Sequence, residues 1–139
     1  MELSRRDIMR IGTGAAFAGC LPQLGQTATM DEAMHAFTGG AAVLDGGIEL
    51  IAPEIAENGN TVPISVSAPD AVMVAVFAEA NPEAEVVQFK FGPLAGSRDA
   101  STRIRLARTQ NVIAVAQMSD GSLRRAVQEV KVTIGGCGG

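Results

Sequence analysis

Aromatic residues are scarce in this chain of 139 residues, which has no Trp, no Tyr and only five Phe. Stacking platforms for bases or sugars are therefore mostly excluded. Metal ligands are equally few: one His and two Cys. A multi-histidine centre is ruled out. So is a zinc site made of four cysteines, or of two cysteines and two histidines. Basic charge is in deficit, with 11 Lys and Arg against 15 Asp and Glu, a net charge of −4 and a pI of about 4.9. This is the wrong sign for electrostatic binding of nucleic acid. No apolar run reaches the roughly 18 residues that a membrane-spanning helix needs. What the chain does have is 47% hydrophobic residues. At this length that is enough for a single core.

The first 28 residues differ from the rest. Ser4-Arg5-Arg6-Asp7-Ile8-Met9-Arg10 is a charged opening, followed by a weakly apolar run rich in Gly and Ala that reaches Leu21. The stretch resembles a twin-arginine export signal, with the pair Arg5-Arg6 as its specific feature. Gly12, Gly14 and Gly19 would weaken an ordinary helix here. Cleavage is expected near Ala28, which predicts a periplasmic protein. Phe17-Ala18-Gly19-Cys20 has the outline of a lipoprotein box, with Phe where Leu is usual. The plainer reading is that Cys20 leaves with the signal. Taking three arginines and two carboxylates from the 11 basic and 15 acidic residues leaves a net charge of −5. Cys137 is then the one cysteine, an unusual state for a protein in an oxidising compartment.

The next segment predicts a short helix, capped by Thr29 or Asp31, running to about Phe37 and stopped at Thr38-Gly39-Gly40. Beyond Gly46-Gly47 the period becomes 2. Short strands are expected at Ile48 to Ile51, Thr61 to Ala68, Val72 to Ala78, Val86 to Phe91, Thr102 to Ala107, Val112 to Met118 and Ala126 to Ile134. Pro63 argues for an edge position or a bulge. Glu57-Asn58-Gly59-Asn60 and Asp120-Gly121 are turn signals. About seven strands punctuated by turns fit an all-β, immunoglobulin-like antiparallel β-sandwich. The chain thus divides into an export signal over 1–28, a sandwich domain over 29–134 and a tail over 135–139.

The tail is Gly135-Gly136-Cys137-Gly138-Gly139, with two glycines on each side of the thiol. Glycine costs the most backbone entropy to order, so the sequence predicts a flexible arm of minimal width. Five residues extend at most about 17 Å. A thiol so isolated lacks the neighbours that activate an enzyme's nucleophile. The carboxylate two residues on disfavours thiolate, so activation is expected from a cationic or metal-bearing pocket of a partner. The arm is suited to entering another protein's narrow active site.

The export signal, the segment Pro53-Glu54-Ile55-Ala56-Glu57-Asn58-Gly59-Asn60-Thr61-Val62-Pro63 and the ending Val132-Thr133-Ile134-Gly135-Gly136-Cys137-Gly138-Gly139 resemble those of the SoxY family, the carrier subunits of periplasmic sulfur-oxidation systems. The resemblance covers essentially the whole chain. It implies an immunoglobulin-like sandwich paired with a SoxZ subunit. It implies that intermediates from thiosulfate are bound covalently to Cys137, with no other cofactor and no metal. It also implies a carrier and not an enzyme, acted on by a haem conjugating complex (SoxAX), a sulfate-releasing hydrolase (SoxB) and, in some systems, a sulfane dehydrogenase (SoxCD).

Other readings compete with this one. A ubiquitin-like carrier would use Gly139 as a thiocarboxylate, although an exported protein would miss the cytosolic ATP-dependent activation. A copper-handling protein would have too few ligands. A structural pairing module would make Cys137→Ser silent. His35 reads as a surface or packing residue of the helix, Glu54 and Glu57 as solvated loop charges, and Asn58 as a turn support. Arg103, Arg105 and Arg108 read as a solvated strand region, and Met30 and Met34 as a soft apolar side that packs on the sandwich or on a partner.

Overall fold

The computed structural model describes residues 29–133. It opens with helix α1 (Met30–Thr38), whose start is a reciprocal cap. The Glu32 N–H donates to Thr29 Oγ1 at 3.4 Å, while Glu32 Oε2 accepts the Thr29 N–H at 3.1 Å. Gly39 closes the helix at φ 66°, and its N–H donates to the His35 carbonyl at 2.8 Å. Both signals are legible in the sequence.

Nine strands follow among the described residues: β1 (Val43–Asp45), β2 (Glu49–Ile51), β3 (Ile55–Ala56), β4 (Val62–Ser67), β5 (Ala71–Ala78), β6 (Glu85–Lys90), β7 (Asp99–Ile104), β8 (Gln110–Met118) and β9 (Leu123–Val132). The larger sheet has the order β1-β9-β8-β5-β6, with β3 also on β9; the smaller has the order β2-β4-β7. The two sheets face each other as a sandwich. Alternate residues of β4 (Val62, Ile64, Val66) meet Val74 and Val76 of β5, Val112 and Ala114 of β8 and Val130 of β9. The β-branched side chains suit both the extended backbone and this close-packed interior.

The opposite face of the larger sheet is covered by α1. Ala33, Met30, Met34 and Phe37 pack on Ala75, Phe77 and Val115. The rings of Phe37 and Phe77 meet edge to face, 6.0 Å apart at 72°. The methionine stripe thus serves the protein's own sandwich, and His35 is exposed.

Three details differ from the sequence-based expectation. First, β1 and β3 run parallel to β9, on the same edge, so the sandwich is not wholly antiparallel. The chain can do this because it crosses to the small sheet for β2 between them. Second, β4 is the middle strand of its sheet, yet Pro63 is exposed: β2 stops opposite Ser65, so Pro63 has a neighbour only in β7. The edge position is met locally. Third, β7 ends at Ile104, because the Leu106 N–H turns to the Gly59 carbonyl at 2.7 Å and the Ala107 N–H to Asn81 Oδ1 at 2.9 Å.

Candidate functional site

β9 is the longest of the described strands and leads directly into the cysteine-bearing tail. Cys137 and its flanking Gly135, Gly136, Gly138 and Gly139 lie outside the described residues, as do Arg5, Arg6 and Cys20. What the structure defines is the root from which the tail departs.

That root is held from both sides. On one side is β3: the Lys131 N–H donates to the Glu54 carbonyl at 2.8 Å, and the Thr133 N–H to the Ala56 carbonyl at 3.1 Å. On the other side the β8–β9 ladder ends at the pair Gln110–Val130. Two residues further, the side chain of Thr109 takes over. Its Oγ1 accepts the Val132 N–H at 2.9 Å, and its hydroxyl lies 3.4 Å from the Val132 carbonyl as a donor.

The loop carrying Thr109 is fixed by one buried amide, Gln110, and one half-buried amide, Asn81. Gln110 is 4% exposed. Its Nε2 donates to Asn81 Oδ1 at 2.9 Å and to the Arg108 carbonyl at 3.0 Å, while its Oε1 accepts the Ala80 N–H at 2.8 Å. Asn81 Nδ2 donates to the Arg105 carbonyl at 2.7 Å. A buried amide must be satisfied on both sides, and here it is. Gly59 packs against the same loop. A Cβ at this position would come within 2.6 Å of the Leu106 carbonyl oxygen and 2.9 Å of Val132 Cγ1. Asn58 supports the turn as expected, its Oδ1 accepting the Asn60 N–H at 3.0 Å.

Charged side chains around the root are exposed: Glu54, Glu57, Arg105, Arg108 and Lys131. Among the described residues no three His, Cys, Asp or Glu side chains gather as they would around a metal ion. The shifted carboxylates are elsewhere. Asp45, at the opposite end of β9, is held below its ordinary range by a hydrogen bond and charge attraction from Arg125. Asp120 is lowered by hydrogen bonds from Ser122 in the β8–β9 turn. A groove of about 530 Å³ lies between the open edges of β6 and β7, lined by Val86, Val87, Ile104, Arg103 and Arg105 among others. The three arginines singled out in the sequence therefore do not form one cluster on a strand. Arg103 lies in β7 and Arg105 and Arg108 in the following loop. Sequence reasoning missed Thr109 and the Asn81–Gln110 pair, whose roles depend on partners more than 20 residues away.

The model of the sulfur oxidation protein SoxY family matches residues 34–137. The sulfur carrier protein SoxY from Chlorobium limicola f thiosulfatophilum is similar in structure, with 39% identity and a TM-score of 0.67, covering 76% of this chain and 97% of that one. A superoxide reductase (neelaredoxin) from Ignicoccus hospitalis shares the fold at 17% identity and a TM-score of 0.56, covering 63% of this chain and 81% of its own. No curated protein matches by sequence. The family match spans the sandwich, its root and Cys137, and with it the chain belongs to the SoxY family of sulfur oxidation proteins.

Proposed function

We propose that this protein is a periplasmic sulfur carrier that binds thiosulfate-derived intermediates on the Cys137 thiol and presents them to partner enzymes. The observation that carries the reading is the joining of a firmly held strand end to a single thiol flanked only by glycines. β9 and the residue after it are fixed by β3 and by Thr109. Cys137 follows Thr133 four residues later, within about 14 Å at full extension. A firm base with a side-chain-free tip suits delivery of one sulfur atom into narrow sites.

The Cys137 thiolate and the sulfane sulfur of thiosulfate form an S–S bond and lose two electrons, which a haem-bearing conjugating partner (SoxAX) accepts. Water then attacks the terminal sulfonate in a hydrolase (SoxB), releasing sulfate and leaving a persulfide on Cys137. A sulfane dehydrogenase (SoxCD) oxidises the remaining sulfur in systems that have one. The carrier supplies the attachment atom and no catalytic group. Export by the twin-arginine route, through Arg5-Arg6, brings it to the compartment of these enzymes.

Pairing with SoxZ belongs to the same reading. Leu44, Ile55 and Val127, each more than half exposed, lie on β9 and its two short edge strands. Apolar side chains along such an edge suit a protein partner. The test is Cys137→Ser in a reconstituted thiosulfate-oxidising system. Sulfur loading is expected to vanish while the melting temperature and the association with SoxZ stay unchanged. Full turnover by the serine variant would overturn the reading.

A further inference from the structure

The end of β9 is held by an unusual partner. Through Val130 the strand is paired with β8 by backbone bonds. At Val132 the neighbour is a side chain, the Thr109 hydroxyl, which meets both the N–H and the carbonyl of one residue. A hydroxyl can do this because it both donates and accepts. Thr109 is exposed, so it fills no core position. Its placement rests on the buried Gln110 beside it and on Asn81, which together fix the backbone from Arg105 to Arg108. On the far side of β9, β3 contributes only two paired residues, Ile55 and Ala56. An isolated two-residue strand is a weak hold, and strand ends fray when few bonds restrain them.

We propose that Thr109 is a positioning residue for the carrier tail, and that its hydroxyl sets the pivot from which the Cys137 segment departs. With the clamp in place, the chain is held through Thr133. Without it, Val132 and Thr133 hang on β3 alone and the tether effectively starts earlier. A longer, less directed tether dilutes its tip at any partner site, because local concentration falls with tether length. The proposal rests on the carrier reading above and adds to it the residue that controls presentation of the thiol. The role assigned to Thr109 is placement of the strand end, so the reactivity of the free thiol is expected not to depend on it.

The test uses the full chain in complex with SoxZ, comparing wild type, Thr109→Val and Thr109→Ser. Valine keeps the shape and removes the hydroxyl; serine keeps the hydroxyl. Amide exchange at Val132 is expected to speed up about fivefold in Thr109→Val, the loss of one ordinary hydrogen bond. It should return towards wild type in Thr109→Ser. The rate constant kcat/KM for thiosulfate loading of Cys137 by the haem conjugating enzyme is expected to fall about threefold in the valine variant, mainly through KM, and to recover with serine. Alkylation of Cys137 by iodoacetamide should not change. Thr109→Ala serves the same test should the valine variant not fold. Unchanged exchange at Val132 overturns the clamp, and faster exchange with unaltered loading overturns the positioning role. Failure of the wild type itself to load sulfur overturns the carrier reading, and this proposal with it. The wild-type control and the exchange data tell these failures apart.

Discussion

The Gln110 side chain donates to Asn81 Oδ1 across 29 positions of sequence, at 2.9 Å, from a site that is 4% exposed. This amide joins the β5–β6 turn to the start of β8 and thereby holds the loop that carries Thr109. Gln110→Ala leaves the Ala80 N–H and the Arg108 carbonyl without their side-chain partner, while Asn81 Oδ1 keeps the Ala107 N–H. Each orphaned, part-buried group costs up to about 1–3 kcal/mol, with water recovering part of it. Urea unfolding of Gln110→Ala is expected to show a loss of about 3 kcal/mol with an unchanged m-value. A loss below about 0.5 kcal/mol would show that the network is not structural.

Gly59 is required by close approach, not by an unusual backbone angle. A methyl group would sit 2.6 Å from the Leu106 carbonyl oxygen, whose chain position is already fixed by the Leu106 N–H to Gly59 carbonyl bond. That oxygen is backbone and cannot swing aside. Gly59→Ala is therefore expected to destabilise the domain by about 1–3 kcal/mol, the usual cost of overpacking. This is opposite in sign to the gain that Gly→Ala gives at an unstrained site. Thermal unfolding decides the sign.

The pair Asp45–Arg125 joins β1 to β9. Arg125 lowers the Asp45 carboxyl by hydrogen bonding first and by charge second. A depressed carboxyl contributes stability above its unfolded value, and the contribution is lost as pH falls through the folded value. Wild type and Asp45→Asn should therefore differ most near neutral pH and converge below about pH 4, the ordinary aspartate range. Both side chains are largely exposed, so the difference should be small and should shrink with salt. NMR titration of Asp45 in Arg125→Met is expected to show the carboxyl returning upward; no change would remove Arg125 as the cause.

The sandwich is legible in the sequence wherever one face of a strand is buried. Val62, Ile64 and Val66 alternate, and the run Val74 to Ala78 is buried on both faces, as its continuous apolar composition requires. The helix is legible from Thr29, Glu32 and Gly39, which act locally. β1 and β3 are not, because three and two residues leave no period to read, and their pairing is decided by β9, about 80 positions away. The same holds for the site. The thiol and its glycines stand out in the chain, whereas Thr109 is an ordinary surface threonine until β9 brings Val132 beside it.

The central claim is that Cys137 is the residue of attachment. Incubation of the wild-type chain and SoxZ with thiosulfate and the haem conjugating enzyme, followed by peptide mapping by mass spectrometry, tests it most directly. The account predicts an adduct on the peptide containing Cys137 that a thiol reductant removes, as an exchangeable S–S bond requires. An adduct confined to the Gly139 carboxyl group, or a chain that stays unmodified while thiosulfate is consumed, would contradict it.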